Sequence, residues 1–312
     1  MGPAEVDGRR SLAPPVAAPR WALAPLAGLY GAAAAAHQRW RGRRRVDLGA
    51  PTVSVGNITA GGTGKTPMTQ WVVQQLRAMG RRPAVALRGG RGQDEALLHA
   101  QALGGAPVAV GADRATAVAR LRARGEAFDC VVLDDGMQRR ELVKELEIAL
   151  VDATRDPFRD ALLPLGLLRE PVDGLARADV IALTRVDLPP AGEAQRLADT
   201  LARTFPAAAI AQVELGWSAL RIVEAEGEER VETVDWLRGR RVAALCAVGR
   251  PTAFFEQLRR AGATVEAGLA LADHAAMGRR VVLAAQRLLQ RTGAELLVCT
   301  EKDWVKLGPA LE

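Results

Sequence analysis

The chain has 312 residues, a net charge of +6 and a pI near 9.9, with 49% hydrophobic and 25% charged residues. That is material for about two folded domains. It excludes a chain disordered throughout, and the basic balance points to an acidic partner such as a nucleotide, a nucleic acid or an anionic lipid surface. Aromatic residues make up only 4%, too few for a base-stacking surface. Cys130, Cys246 and Cys299 lie singly in apolar runs, which reads as buried reduced thiols and excludes a disulfide framework or a cysteine zinc site.

Residues 1–20, rich in Pro and Ala with Arg9, Arg10 and Arg20, read as a flexible tail. Residues 21–36, WALAPLAGLYGAAAAA, carry no charge, and HQRWRGRRR follows. Sixteen helical residues reach about 24 Å, short of the roughly 30 Å hydrocarbon core. Leu23, Leu26, Leu29, Tyr30 and Ala33 fall near one helical face. Trp21 and Trp40 stand at the ends as interfacial aromatics do, and Arg39, Arg41, Arg43, Arg44 and Arg45 suit anionic headgroups. Three readings stay open for 21–45: a membrane-associated helix, half-inserted or short-spanning; a buried Ala-rich helix; or a cleaved signal peptide. The Arg run directly after the apolar run favours the first, and favours a membrane surface over nucleic acid for the same arginines.

Over 46–211 short apolar strands alternate with amphipathic helices. Strands are expected at 52–57, 83–87, 107–110, 128–133, 147–151 and 179–183, with helices over 66–79, 94–103, 113–124 and 193–205. This alternation predicts an α/β domain with a mostly parallel sheet and helices on both faces. Residues 212–235, with EGEE at a turn, read as a hairpin linker. Over 236–312 a smaller α/β domain is expected, with strands at 241–249 and 295–299 and helices at 251–260 and 278–291.

The stretch TAGGTGKT, residues 59–66, follows an apolar strand and opens a helix. Gly64-Lys65-Thr66 completes a Walker A loop, although Thr59 stands where that pattern has Gly and Ala60 follows it. Backbone N–H groups of Thr59, Ala60, Gly61, Gly62, Thr63 and Gly64 at a helix N-terminus would cradle phosphate oxygens. Lys65 would pair with the β/γ-phosphates and Thr66 would ligate Mg²⁺. FDCVVLDDG then places Asp134 and Asp135 after a buried strand, the Walker B position for holding the metal. Asp94 and Glu95 open a predicted helix. They read either as N-terminal capping acids or as a carboxylate able to take a proton from an attacking hydroxyl. A regulatory P-loop NTPase is the main alternative. Thr184-Arg185 stands where a GTPase would carry Asn-Lys, and Ala60 where partition-type ATPases carry a second Lys, and both speak against that class.

Taken in order, SVGNITAGGTGKTP (54–67), RGG (88–90), DE (94–95), GADR (111–114), LDDGMQRR (133–140), LLPLGLLREP (162–171), ALTRVD (182–187), AVGRP (247–251), DH (273–274) and TEKDWVKL (300–307) resemble the tetraacyldisaccharide 4′-kinase family of lipid A biosynthesis. A Thr-initiated loop belongs to that family pattern. The resemblance implies a P-loop kinase domain, a smaller C-terminal domain and an N-terminal membrane helix. It implies ATP and Mg²⁺ as cofactors, a lipid A disaccharide 1-phosphate as substrate, and a place at the cytoplasmic face of the bacterial inner membrane, with neither nucleic acid nor an obligate protein partner. It also implies that Asp94 acts with His274 and that Arg114 and Arg169 lie near the phosphates. The sequence departs from the family pattern in a short run between Arg88 and Asp94, in Arg139 where His is common, and in Leu167 where Pro is common.

Overall fold

The computed structural model describes residues 4–6, 23–89, 103–214, 216–224, 227–248, 251–272, 275 and 277–307. They fall into two compact units, Val16–Leu215 and Met1–Pro15 with Gly216–Glu312. The first strand, β1 (Ala4–Val6), lies within the stretch expected as a tail and belongs to the second unit.

The larger unit opens with α1 (Ala24–Arg41) and is organised around seven strands: β2 (Thr52–Asn57), β3 (Pro83–Leu87), β4 (Val108–Val110), β5 (Cys130–Asp134), β6 (Leu146–Asp152), β7 (Val180–Thr184) and β8 (Ala209–Val213). Their order in the sheet is β4-β3-β5-β2-β6-β7-β8, and every neighbouring pair is parallel. Among the described residues the helices packed on this sheet are α2 (Lys65–Ala78), α3 (Arg114–Ala123) and α4 (Glu193–Thr204), while nearly all of the helix expected over 94–103 lies outside them. A period of two along each strand sends alternate side chains to opposite faces. In β3, Val85 and Leu87 join Met68, Val72 and Val73 of α2, while Ala84 and Ala86 join Ala117, Val118 and Leu121 of α3. In β7, Ile181 and Leu183 meet Leu197 and Leu201 of α4. Burial on both faces is why these strands read as continuous apolar runs. The eighth strand was not expected. Ala209 and Gln212 are exposed and the other three residues only half-buried, so no buried apolar run forms, because β8 is the edge of the sheet. The strand order places β2 between β5 and β6, at the point where successive connections run to opposite sides, which is where ligands bind in open α/β sheets.

Helix α1 presents two faces. Ala27 and Gln38 are buried, and Tyr30, Gly31, Ala34, Ala35 and Arg41 are half-buried. Leu26, Leu29, Ala33, Ala36 and Trp40 recur at intervals of three and four and are exposed, Leu29 by 68% and Trp40 by 58%. Leu23 and Tyr30, expected on that stripe, are half-buried instead. Among the described residues no helix is long and apolar enough to cross a membrane.

In the smaller unit, β9 (Leu220–Val223) and β10 (Glu229–Glu232) form an antiparallel hairpin within the stretch expected as a linker. A separate sheet runs β1-β12-β11-β13, with β11 (Arg241–Cys246), β12 (Thr264–Ala270) and β13 (Leu296–Cys299) parallel and β1 antiparallel at the edge. Phe254, Phe255 and Leu258 of α5 (Pro251–Arg260) pack on one face of this sheet. Val282 and Leu288 of α6 (Arg279–Thr292) and Leu307 of α7 (Glu301–Leu307) pack on the other. Asp303 is fully buried; its Oδ2 accepts from Thr300 Oγ1 at 2.7 Å and from the Ala247 amide at 3.1 Å, tying the end of β11 to the start of α7.

Asp113 caps α3: its Oδ1 accepts from the amides of Ala115 at 3.0 Å and Thr116 at 3.3 Å, and its Oδ2 from Thr116 Oγ1 at 2.9 Å. Asp113→Ala is therefore expected to lower unfolding stability by about 1 kcal/mol, read from the shift in urea midpoint; an unchanged midpoint contradicts the capping role.

Candidate active site

The loop between β2 and α2 is shaped by two left-handed glycines, Gly61 with φ 106° and Gly64 with φ 92°. No side chain with a Cβ adopts these angles cheaply. A Cβ built on Gly61 or Gly62 meets nothing within 4 Å, so open space lies over this part of the loop. Gly64 caps α2 without a side-chain cap, which leaves the first amides of the helix for a ligand.

Beneath the loop, Asn57 at the end of β2 is fully buried. Its Nδ2 donates to Thr63 Oγ1 at 2.8 Å and Thr59 Oγ1 at 3.2 Å, and its Oδ1 accepts from Lys65 Nζ at 3.3 Å. One amide thus fixes both ends of the loop and the lysine. On one flank, Thr184 Oγ1 donates to the Thr63 carbonyl at 3.1 Å, while the Arg185 guanidinium donates to the Gly62 carbonyl at 2.7 Å and to Asp152 at 2.5 Å. On the other flank the loop pairs with a strap from the LLREP stretch. The Ala60 amide donates to the Leu167 carbonyl and the Arg169 amide to the Ile58 carbonyl, both at 2.7 Å, as an antiparallel bridge between Thr59 and Leu168.

Asp134 ends β5 beside Val55 of β2 and is buried. Asp135 follows with φ 55°, and the next amide, Gly136, donates to the Val55 carbonyl at 3.1 Å. A left-handed non-glycine residue is uncommon and turns the Asp135 carboxylate out of the strand direction. Arg169 Nη1 donates to both Asp135 oxygens at 2.9 Å, and Lys65 Nζ stands 3.7 Å from Oδ1. Burial opposes the charge on Asp135, but Lys65 and then Arg169 outweigh it and hold the carboxyl below its ordinary 3.8. Arg114 is 3% exposed; its Nη1 donates to the carbonyls of Gly111 and Ala112, and its Nε is buried without a hydrogen-bond partner among the described residues. Burial and then the neighbouring Arg139 push its pKa down to about 10, while Asp135 and Asp134 pull it up. Arg139 donates to the Ala112 carbonyl at 2.8 Å.

The structure therefore brings Lys65, Arg169 and Asp135 into contact, with Arg114 and Asp134 in the same electrostatic neighbourhood and Thr66 at the first turn of α2. Asp94, Glu95 and His274 lie outside the described residues. Several residues of the site carried no role in the sequence reading. Asn57 looks like the end of a strand, and Thr184-Arg185 looks like a failed guanine motif rather than a brace. Gln138 donates to the Asn57 carbonyl at 2.7 Å and to Glu170 at 3.0 Å, and Arg177 donates to the 2%-exposed Glu170 at 2.7 Å. Gln138 and Glu170 stand within the quoted LDDGMQRR and LLPLGLLREP stretches, and Arg177 in none of them.

A glycine loop between a buried strand and a helix N-terminus, with a lysine opening that helix and an aspartate on the adjacent strand, defines a P-loop nucleotide-binding domain. A family model described as tetraacyldisaccharide-1-P 4′-kinase matches residues 19–312. The chain belongs to that family and is a kinase. The tetraacyldisaccharide 4′-kinase of Methylibium petroleiphilum is 39% identical over 92% of this chain and 80% of its own length. The one from Jannaschia sp. is 35% identical over 92% and 85%. The crystal structure of LpxK from Aquifex aeolicus in complex with ATP shares the fold, with a TM-score of 0.63 at 24% identity over 92% of this chain and 90% of that one.

The depressed Asp135 carboxyl contributes stability that is full above the ordinary value of 3.8 and lost as pH falls through the lower folded-state value. Wild type should therefore lose stability relative to Asp135→Asn as pH drops below 3.8. Parallel denaturation curves for the two proteins across that range would contradict the ion-pair assignment.

Proposed function

We propose that this kinase transfers the γ-phosphate of ATP to the 4′-hydroxyl of a tetraacyldisaccharide 1-phosphate in lipid A biosynthesis. The observation that carries the reading is the meeting of Lys65 and Arg169 on Asp135 beside an open glycine loop. The nucleotide named for the Aquifex aeolicus crystal, ATP, is the one assigned to this loop. The amides of residues 59–66 take the phosphate oxygens. Lys65 and Arg169 then place positive charge where the equatorial oxygens of the transferring phosphoryl group gather negative charge, which is the main source of acceleration in this chemistry. Arg114 adds charge to the same phosphates. The 4′-oxygen attacks the γ-phosphorus as the bond to the bridging β–γ oxygen breaks, and ADP leaves. Asp94 is the residue assigned to take the hydroxyl proton, with His274 orienting it or sharing the proton.

The residues present fit Mg²⁺. Thr66 supplies a hydroxyl and buried Asp134 a carboxylate. No group of three acidic, His or Cys side chains gathers among the described residues, and a nucleotide-bound Mg²⁺ needs none, since phosphates and water complete its shell. Asp135 has both oxygens committed to Arg169, which weights the direct ligation to Asp134 and Thr66. When bound, the ion neutralises charge between the β- and γ-phosphates.

We also assign α1 to an anionic lipid surface at the cytoplasmic face of the inner membrane, where ATP and the lipid substrate meet. Its outward stripe of Leu26, Leu29 and Trp40 is bordered by the exposed Arg39, Arg43, Arg44 and Arg45. Arg41 is turned inward to an ion pair with Glu141 and is not part of that patch.

With labelled ATP and the disaccharide 1-phosphate, label should appear on the 4′-oxygen, and Lys65→Ala should cut kcat about a hundredfold or more while the protein still folds. Label elsewhere, or near-normal turnover in the variant, contradicts the reading. Replacing Leu26, Leu29 and Trp40 together by Ser should lower partition to anionic vesicles more than about tenfold without altering ATP binding. Undiminished partition would move the lipid contact to another surface.

A further inference from the structure

We propose that Tyr30 of α1 is a positioning residue for Arg169, so that the helix assigned to the lipid surface also sets the cation acting on the transferring phosphate. The proposal rests on the P-loop kinase reading above. The backbone of Arg169 is held from two directions. Its amide donates to the Ile58 carbonyl at 2.7 Å, which ties it to the phosphate loop, and its carbonyl accepts from Tyr30 Oη at 3.2 Å, which ties it to α1. Its guanidinium spans both oxygens of Asp135 at 2.9 Å. Where that guanidinium sits therefore depends on the Cα fixed between these two backbone bonds.

The neighbouring residue of α1 touches the other end of the same strap. A Cβ built on Gly31 would lie 2.6 Å from Leu162 Cδ1, so the helix approaches the strap as closely as a glycine permits. The strap is itself a narrow loop, closed by the Leu168 amide on the Ala161 carbonyl and the Leu163 amide on the Leu168 carbonyl, each at 2.9 Å. Asp160 Oδ1 fastens it further, accepting from the Ala161 amide at 2.8 Å and the Leu167 amide at 3.2 Å. A closed loop of this kind moves as a body, so contacts at Leu162 and at Arg169 set its angle across Thr59 and Ala60. Among the described residues Tyr30 hydrogen-bonds the strap and neither the phosphate loop nor the acidic pair, so it acts through the strap. The exposed stripe lies on the other side of the same helix.

The test compares wild type with Tyr30→Phe in kcat, in KM for ATP and in partition to anionic vesicles. It adds Gly31→Val, which pushes Leu162, alone and combined with Leu162→Ala, which makes room. Tyr30→Phe is expected to lower kcat about 3- to 10-fold, the size of one hydrogen bond, with KM for ATP and vesicle partition unchanged. Gly31→Val is expected to lower kcat as well, and Leu162→Ala to restore it. The proposal is overturned by wild-type kcat in Tyr30→Phe, by a loss confined to lipid KM or vesicle partition, or by a Gly31→Val defect that Leu162→Ala leaves unrepaired. The same ratios are to be read on ATP hydrolysis without lipid, where the role proposed for Arg169 at the γ-phosphate applies equally. A protein that hydrolyses ATP but leaves the 4′-hydroxyl untouched would defeat the acceptor assignment while the Tyr30 comparison still gives its answer.

Discussion

Two cations facing one carboxylate organise this site. Lys65 comes from the first turn of α2 and Arg169 from a strap more than a hundred positions later in the chain, and Asp135 holds both. Without the carboxylate, two positive side chains brought together beside a helix N-terminus would repel each other and drift toward water. With it, the cations are held in place, and in the proposed reaction an arriving polyphosphate would meet charge already oriented, leaving little reorganisation for the chemical step. The left-handed backbone of Asp135 belongs to the same arrangement, since it turns the carboxylate away from the line of β5 while Asp134 stays buried at the strand end.

The glycine loop owes its shape to neighbours that are not glycine. Glycines permit the path but do not choose it, and a chain free to adopt left-handed angles loses the most entropy when ordered. Here Asn57 bonds both threonines from below, Thr184 and Arg185 hold the carbonyls of Thr63 and Gly62, and the Leu167–Arg169 strap holds Ile58 and Ala60. The conformational cost of the loop is thus met by folding and not at the moment of nucleotide capture.

Much of the architecture was legible in the sequence because a parallel sheet buried on both faces forces continuous apolar strands, and β2, β3, β5, β6 and β7 all show them. Edge strands escape that logic: no residue of β8 is fully buried, and β1 is three residues long. In the site, residues adjacent in sequence were readable, as with Gly64-Lys65-Thr66 and Asp134-Asp135, because local spacing there is dictated by the ligand. The pairing of Asp135 with Arg169, 34 residues apart, is a product of folding and leaves no periodic trace. Tyr30 was grouped on one helical face with Leu26 and Leu29, since a period of 3.6 cannot by itself say which edge of an apolar stripe turns inward. Asn57 and Arg185 act through backbone carbonyls and paired side chains that only the folded chain assembles.

The split character of α1 changes what concentration means for this enzyme. On the lipid contact proposed for α1, a protein lying flat on a bilayer through Leu26, Leu29 and Trp40 would meet a lipid acceptor by lateral diffusion in two dimensions. Its rate then follows the number of acceptor molecules per unit area, and inert lipid or detergent slows it by surface dilution even when the amount of acceptor in the vessel is constant. ATP, by contrast, arrives from three dimensions and keeps an ordinary molar dependence, so the two substrates of a single reaction are counted in different units.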